Sequence, residues 1–163
     1  MAESVVDRII RHEGFSSHVY LDSKGYLSLG YGTTVGKVSK EIEELLRVNP
    51  GWLQPKGVGT NKARARTAVR DRVGDIRTEL DVQKGEVFNL LLRIEKDVLV
   101  EMAYQLGVRG CLNFKLMWKA LEKEDYEIAA DEMLDSVWAR ETPPRGTPER
   151  AEELAGIMRT GTI

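Results

Sequence analysis

The sequence predicts an α+β protein of two lobes, and three patterns predict it. A strand–turn–strand stretch lies near the N-terminus, a long helical stretch follows, and the reading from there on is helical almost throughout. A long helix between a strand-rich and a helical segment is a candidate strut. It gives a β-containing lobe over 13–59, a connecting helix over 60–80, and a helical lobe made of 1–12 with 81–163.

Each element has a local reason. Val5, Val6, Ile9 and Ile10 recur at helical spacing, Ser4 and Asp7 stand where a capping box would, and Gly14 is a natural stop. Glu13 therefore ends the first helix. Val19-Tyr20-Leu21 is strand-like, Asp22-Ser23-Lys24-Gly25 is turn-like, and Tyr26 to Tyr31 is strand-like again. A weak helical pattern covers Lys37 to Val48, and a Pro/Gly-rich loop with Trp52 covers 49–59. Thr60 reads as the N-cap of the long helix. Further helices are expected at 87–92, 96–106, 112–122, 126–134 and 150–158. Thr142-Pro143 and Thr147-Pro148 each pair an N-cap with a proline at the first helical position.

Composition narrows the function classes. The 163 residues suit one domain or two small lobes, and 31% charged with 42% hydrophobic residues reads as globular. A formal net charge of -2 disfavours a nucleic-acid binder. The single cysteine, Cys111, forbids an intramolecular disulfide and reads as a small buried hydrophobe. Two histidines and one cysteine make a zinc site unexpected, and no cofactor or metal is expected. The N-terminus lacks a signal-peptide pattern, and charges interrupt every apolar run before it could span a bilayer. Action outside a cytoplasm would then need separate release.

Two carboxyls stand out chemically. Glycoside hydrolysis needs one acid to protonate the leaving oxygen and a second carboxylate to activate water or attack. Glu13 ends a helix, where the backbone's negative partial charge favours a protonated acid. Asp22 opens a polar turn, where charge is favoured. Ser28, on the returning strand, can bring a hydroxyl near Asp22. Taken alone, an acid at a helix end and an aspartate in a turn are also ordinary surface groups.

The motifs in order carry more. His12-Glu13-Gly14-Phe15, Tyr20, Asp22, Gly25-Tyr26 and Ser28-Leu29-Gly30-Tyr31-Gly32 resemble the active-site segment of the T4-type phage lysozymes, glycoside hydrolase family 24. Glu101 to Gly107, Gly110 and Phe114 resemble the family's central helix and its following turn. Ala129-Ala130, Ser136, Trp138, Thr142-Pro143 and Arg159-Thr160-Gly161-Thr162 resemble its late segments. The likeness is weakest from Thr33 to Lys96.

The resemblance implies a lysozyme-like fold and a monomeric muramidase. Such an enzyme hydrolyses the β-1,4 bond between N-acetylmuramic acid and N-acetylglucosamine in bacterial peptidoglycan, with no nucleic acid or membrane insertion. It would be held in the host cytoplasm until release to the wall. Glu13 would be the general acid, and Asp22 with Ser28 would position the water. Thr34, Tyr104, Gln105, Met117 and Glu132 fall where the family lines its saccharide cleft. The cleft arginine is Arg145 by the local T-P-x-R pattern or Arg150 by counting back from Arg159; Pro148 gives the Arg150 helix its start, which favours Arg150. Ser28 replaces the family's threonine, and Thr33 replaces a histidine. A lytic transglycosylase or a catalytically silent wall-binding or tail-associated module are the alternatives.

Other features have plainer readings. Arg64, Arg66, Arg70, Arg72 and Arg77 read as solvated faces of the long helix rather than a nucleic-acid stripe. Phe114 and Trp138 read as core, and His12 as structural.

Overall fold

The computed structural model describes residues 3–22, 24–49, 59–141 and 147–162. The chain divides into two compact units, one of Val6–Asp71 and the other of Met1–Val5 with Arg72–Ile163. The fold is α+β: mostly helical, with a three-stranded antiparallel sheet in the order β1-β2-β3.

In the first unit, α1 (Val5–Glu13) runs up to Gly14, whose φ of +67° turns the chain out of the helix. Strands β1 (Ser16–Leu21) and β2 (Tyr26–Gly30) then form the expected hairpin. A third strand, β3 (Thr33–Lys37), follows directly and pairs with β2. The sequence reading had not given this segment a strand. Its five residues include a glycine, too little alternation to separate a strand from a loop.

Helix α2 (Lys40–Val48) starts three residues later than expected, because Ser39 caps it by accepting from the Ile42 N–H. Helix α3 (Lys62–Phe88) is capped by Asn61, whose Oδ1 accepts the Arg64 N–H at 2.9 Å. Thr60, the expected cap, is used differently: its N–H donates to the Ser17 carbonyl at 2.9 Å and ties the helix entrance to β1. α3 also runs eight residues beyond the expected end. Its one non-helical residue is Lys84 (φ −139°, ψ 25°), beside Gly85; of the helix expected at 87–92 only Val87 and Phe88 are helical, as the end of α3, and 89–92 are not.

The second unit is built on α4 (Arg93–Leu106). Glu95 and the run from Asp97 to Ala103 are buried. A helix covered on every side is a core helix. Around it lie α5 (Val108–Leu112), α6 (Lys115–Leu121), α7 (Tyr126–Leu134), α8 (Val137–Arg140) and α9 (Pro148–Thr160). α4 packs on α5 and α9, and α7 packs on α6, α8 and α9. Trp118, Met102, Met133, Leu154 and Met158 are fully buried.

Of the helix expected at 112–122, Leu112 instead ends α5, Asn113 and Phe114 interrupt, and Lys115–Leu121 form α6. Pro148 stands at the start of α9 as expected, but Thr147 makes no side-chain cap bond. Cys111 is fully buried, and Phe114 meets Trp138 edge to face with centroids 6.2 Å apart. The arginines of α3 within reach of acids pair with them: Arg66 with Asp7, Arg72 with Glu79 and Arg77 with Asp97.

Candidate active site

The two carboxyls and the serine hydroxyl read from the sequence all lie in the Val6–Asp71 unit. Glu13 is the last residue of α1, and its carboxyl rests against the β2–β3 turn. A methyl added at Gly32 would stand 3.0 Å from Glu13 Oε2, and Gly32 also has φ +74°. Glycine is thus required there twice, for backbone conformation and for room beside the acid.

Asp22 is fixed by its own turn. One carboxylate oxygen, Oδ1, accepts the Lys24 N–H at 2.8 Å and the Tyr26 N–H at 2.9 Å. This Asx-type arrangement holds χ1 and χ2 without using Oδ2. The Asp22 backbone closes the hairpin, its N–H donating to the Tyr26 carbonyl at 2.8 Å. From α2, Arg47 reaches the Asp22 carbonyl at 3.4 Å while paired with Glu43.

Ser28 is only 2% exposed and sits in the middle strand. Register puts it directly opposite Tyr20 on β1 and Thr34 on β3. Directly paired residues in an antiparallel sheet point to the same face. Tyr20, Ser28 and Thr34 therefore form a row of three hydroxyls across the sheet. Burial and then the nearby Glu13 and Asp22 carboxylates push the Tyr20 phenol above its ordinary value. Phe15 and Tyr31 flank this region, with ring centroids 5.3 Å apart.

The remaining candidates belong to the second unit, apart from Arg145, which lies outside the described residues. Met117 and Glu132 share a groove of about 310 Å³, with Phe114, Leu116, Asp135 and Ser136 among its other walls. Met117 is fully buried, so it backs the groove without offering a contact surface. Tyr104 and Gln105 are half-buried on α4. Both ends of the Gln105 amide are engaged, Nε2 donating to Thr147 Oγ1 and Oε1 accepting from Trp138 Nε1, each at 2.8 Å. The Thr147 hydroxyl thus serves Gln105 rather than the α9 cap. Arg150 is 5% exposed and pairs with wholly buried Glu101 across α4 and α9, Nε to Oε1 at 3.1 Å.

Three features had escaped the sequence reading. Gly32 was one glycine among several, and its role depends on where Glu13 comes to rest. Glu101 carried a signal that went unused: a carboxylate in the apolar run of Leu99-Val100-Glu101-Met102-Ala103 demands a buried partner. Tyr20 belonged to the motif but had no role. Among the described residues no cluster of three or more His, Cys, Asp or Glu is arranged to hold a metal ion, and no helix is long and apolar enough to cross a membrane.

A small antiparallel sheet with a helical remainder, and two carboxyls presented from a helix end and a hairpin turn, define a lysozyme-like protein. The phage lysozyme family model matches residues 10–154, and the chain belongs to that family. At family level it is a lysozyme-like peptidoglycan hydrolase. Its relatives include probable T4-type lysozyme 1 of Dictyostelium discoideum, 24% identical over 171 residues that cover 100% of this chain and 98% of that protein. Probable T4-type lysozyme 2 of the same organism is 22% identical over 173 residues, covering 100% and 98%. The pre-baseplate central spike protein Gp5 of Enterobacteria phage T4 is 28% identical over 172 residues. The match covers 98% of this chain but only 28% of that protein.

Proposed function

We propose that the chain is a muramidase that cleaves the β-1,4 bond between N-acetylmuramic acid and N-acetylglucosamine by inverting hydrolysis. Glu13 is the general acid, protonating the leaving glycosidic oxygen. Asp22 is the base, and Ser28 helps to hold the water that attacks from the opposite face of the sugar. The observation that carries this reading is the fixation of Asp22. Two backbone N–H bonds hold one oxygen, and the other has no bond to a described residue. A carboxylate oriented this way needs no reorganisation to accept a proton from water.

Thr34, Tyr104, Gln105, Met117, Glu132 and Arg150 are assigned to the saccharide site, in supporting roles of different kinds. Glu132 and buried Met117 border a groove, whereas the Gln105 amide is engaged by Thr147 and Trp138. The chain acts as a monomer, with residues 60–80 as the strut between a β-containing and a helical lobe. Its working setting has two readings. One is a free endolysin released from the host cytoplasm to the wall. The other is a wall-cutting segment of a virion protein, favoured by the match to part of the phage T4 spike.

Glu13→Gln tests the assignment. The amide keeps size and polarity but has no proton to give, and general acid catalysis is typically worth ~10²–10⁴ in rate. Lysis of outer-membrane-permeabilised cells should be almost abolished while the melting curve stays near native. Mass analysis of the parent's products separates hydrolysis, which leaves reducing ends, from a transglycosylase, which leaves anhydro ends. A well-folded Glu13→Gln protein with near-parental lysis rules out the acid.

A further inference from the structure

We propose that Tyr20 is a further catalytic residue, its phenol hydroxyl donating a hydrogen bond to the attacking water alongside Asp22 and Ser28. This rests on the reading of Glu13 as acid and Asp22 as base.

Three observations meet at this side chain. Tyr20 pairs directly with Ser28 across β1 and β2, so the two side chains rise from the same face of the sheet at neighbouring positions. Asp22 is the first residue past β1, two on from Tyr20, and its N–H still pairs with the Tyr26 carbonyl across the hairpin, so the strand's alternation carries it to that face. And the phenol is close enough to both Glu13 and Asp22 for their charges to act on it. The ring is half-buried, yet among the described residues its hydroxyl has no hydrogen-bond partner. The hydroxyl is not among the sealed polar atoms that lack a partner, so water can reach it.

The water's own bonding calls for such a group. An ordered water typically makes about three hydrogen bonds. A water attacking carbon keeps one lone pair for the new bond. Its two hydrogens go to acceptors, which Asp22 Oδ2 and Ser28 Oγ supply. Its remaining lone pair accepts, and the Tyr20 hydroxyl is the donor. In the step itself, the water oxygen bonds to the anomeric carbon and one water proton passes to Asp22. The glycosidic bond breaks, and the Glu13 proton goes to the leaving oxygen. Tyr20 keeps its proton throughout, which the adjacent negative charges favour.

Tyr20→Phe tests this, because it removes one oxygen that has no hydrogen-bond partner among the described residues and leaves the ring. On a soluble glycan oligomer kcat should fall about tenfold, the scale of one hydrogen bond. KM should hold, and so should the melting temperature. Combined with Ser28→Ala, the loss should be clearly smaller than the product of the two single losses, because both groups serve one water. Parental kcat in Tyr20→Phe overturns the proposal. So does a loss that appears only in KM, which would make the hydroxyl a sugar contact. A strongly lowered melting temperature overturns it too, by making the hydroxyl structural, and so do multiplicative losses with Ser28→Ala. In each case an inactive Glu13→Gln protein leaves the acid assignment standing; an active one removes the reading beneath both.

Discussion

Asp22 and Ser28 make opposite demands on their surroundings. Asp22 is held by N–H groups of its own turn, so its geometry is local and survives changes elsewhere. Ser28 is held by burial in the central strand, and its hydroxyl matters only through what faces it. Ser28→Ala removes the hydroxyl and little else. Activity should drop by about tenfold, as for one hydrogen bond lost in the transition state, with little change in melting. Ser28→Thr restores the hydroxyl with a stiffer χ1 and should keep most of the activity, although its extra methyl enters a buried site. Initial rates on one wall preparation separate the two, and a fully active alanine variant shows the hydroxyl to be incidental. Gly32→Ala should be worse than either. Its φ of +74° makes alanine strained, at a cost of order 1–3 kcal/mol. The new methyl also meets Glu13 Oε2 at 3.0 Å, which displaces the acid. Its kcat should therefore fall further than its stability predicts, and a variant that loses stability but keeps kcat would show that the acid tolerates the shift.

At the level of elements, the sequence was most legible where capping and periodicity agreed. α1, the β1–β2 hairpin, α7 and the proline start of α9 all follow from residues within one turn of their ends. Several of the misses depend on a partner distant in the chain. Thr60 loses the cap to Asn61 because its N–H is drawn to Ser17, and Thr147 gives its hydroxyl to Gln105. β3 exists because β2 offers it an edge. The site divides in the same way. The proposed catalytic groups Glu13, Asp22 and Ser28 are readable as residue types at a spacing, whereas the room that Gly32 leaves beside Glu13 and the pairing of Tyr20 with Ser28 appear only once the sheet is folded. The Glu101–Arg150 pair is another such long-range link, joining α4 to α9 in the interior of one unit. Removing one member of a buried pair typically costs about 3–5 kcal/mol. Glu101→Ala should therefore lower the urea midpoint by a matching amount. The Glu101→Ala, Arg150→Met double variant should recover part of it. Equal and additive losses would mean that the two side chains act independently.

Across the whole molecule, acids and bases nearly cancel, with 26 Asp and Glu against 24 Lys and Arg, so alkaline stability turns on particular buried groups. Cys111 is one that the catalytic reading does not use. It is wholly buried, its Sγ donating weakly to the Leu99 carbonyl at 3.7 Å, and its own carbonyl accepts Trp118 Nε1 at 3.1 Å. Burial raises the thiol from its ordinary 9.0 to about 12. The folded state thus holds this proton more tightly than the unfolded state. Below the unfolded value both states are protonated, and the contribution is complete and constant. Between about 9 and about 12 the unfolded chain has released the proton while the folded chain has not, so stability falls as pH rises through that window. Urea melts of the parent at stepped alkaline pH should show this decline, added to that of Tyr20 and Tyr126, whose phenols burial also raises. Cys111→Ala leaves a small void and should be less stable at neutral pH, but its decline above pH 9 should be shallower than the parent's. A thiol reagent at pH 8 gives an independent check. It should label the native parent only at the rate of opening, and at once in urea. Parallel pH declines in the two proteins, together with fast native labelling, would show that Cys111 is not sealed from solvent.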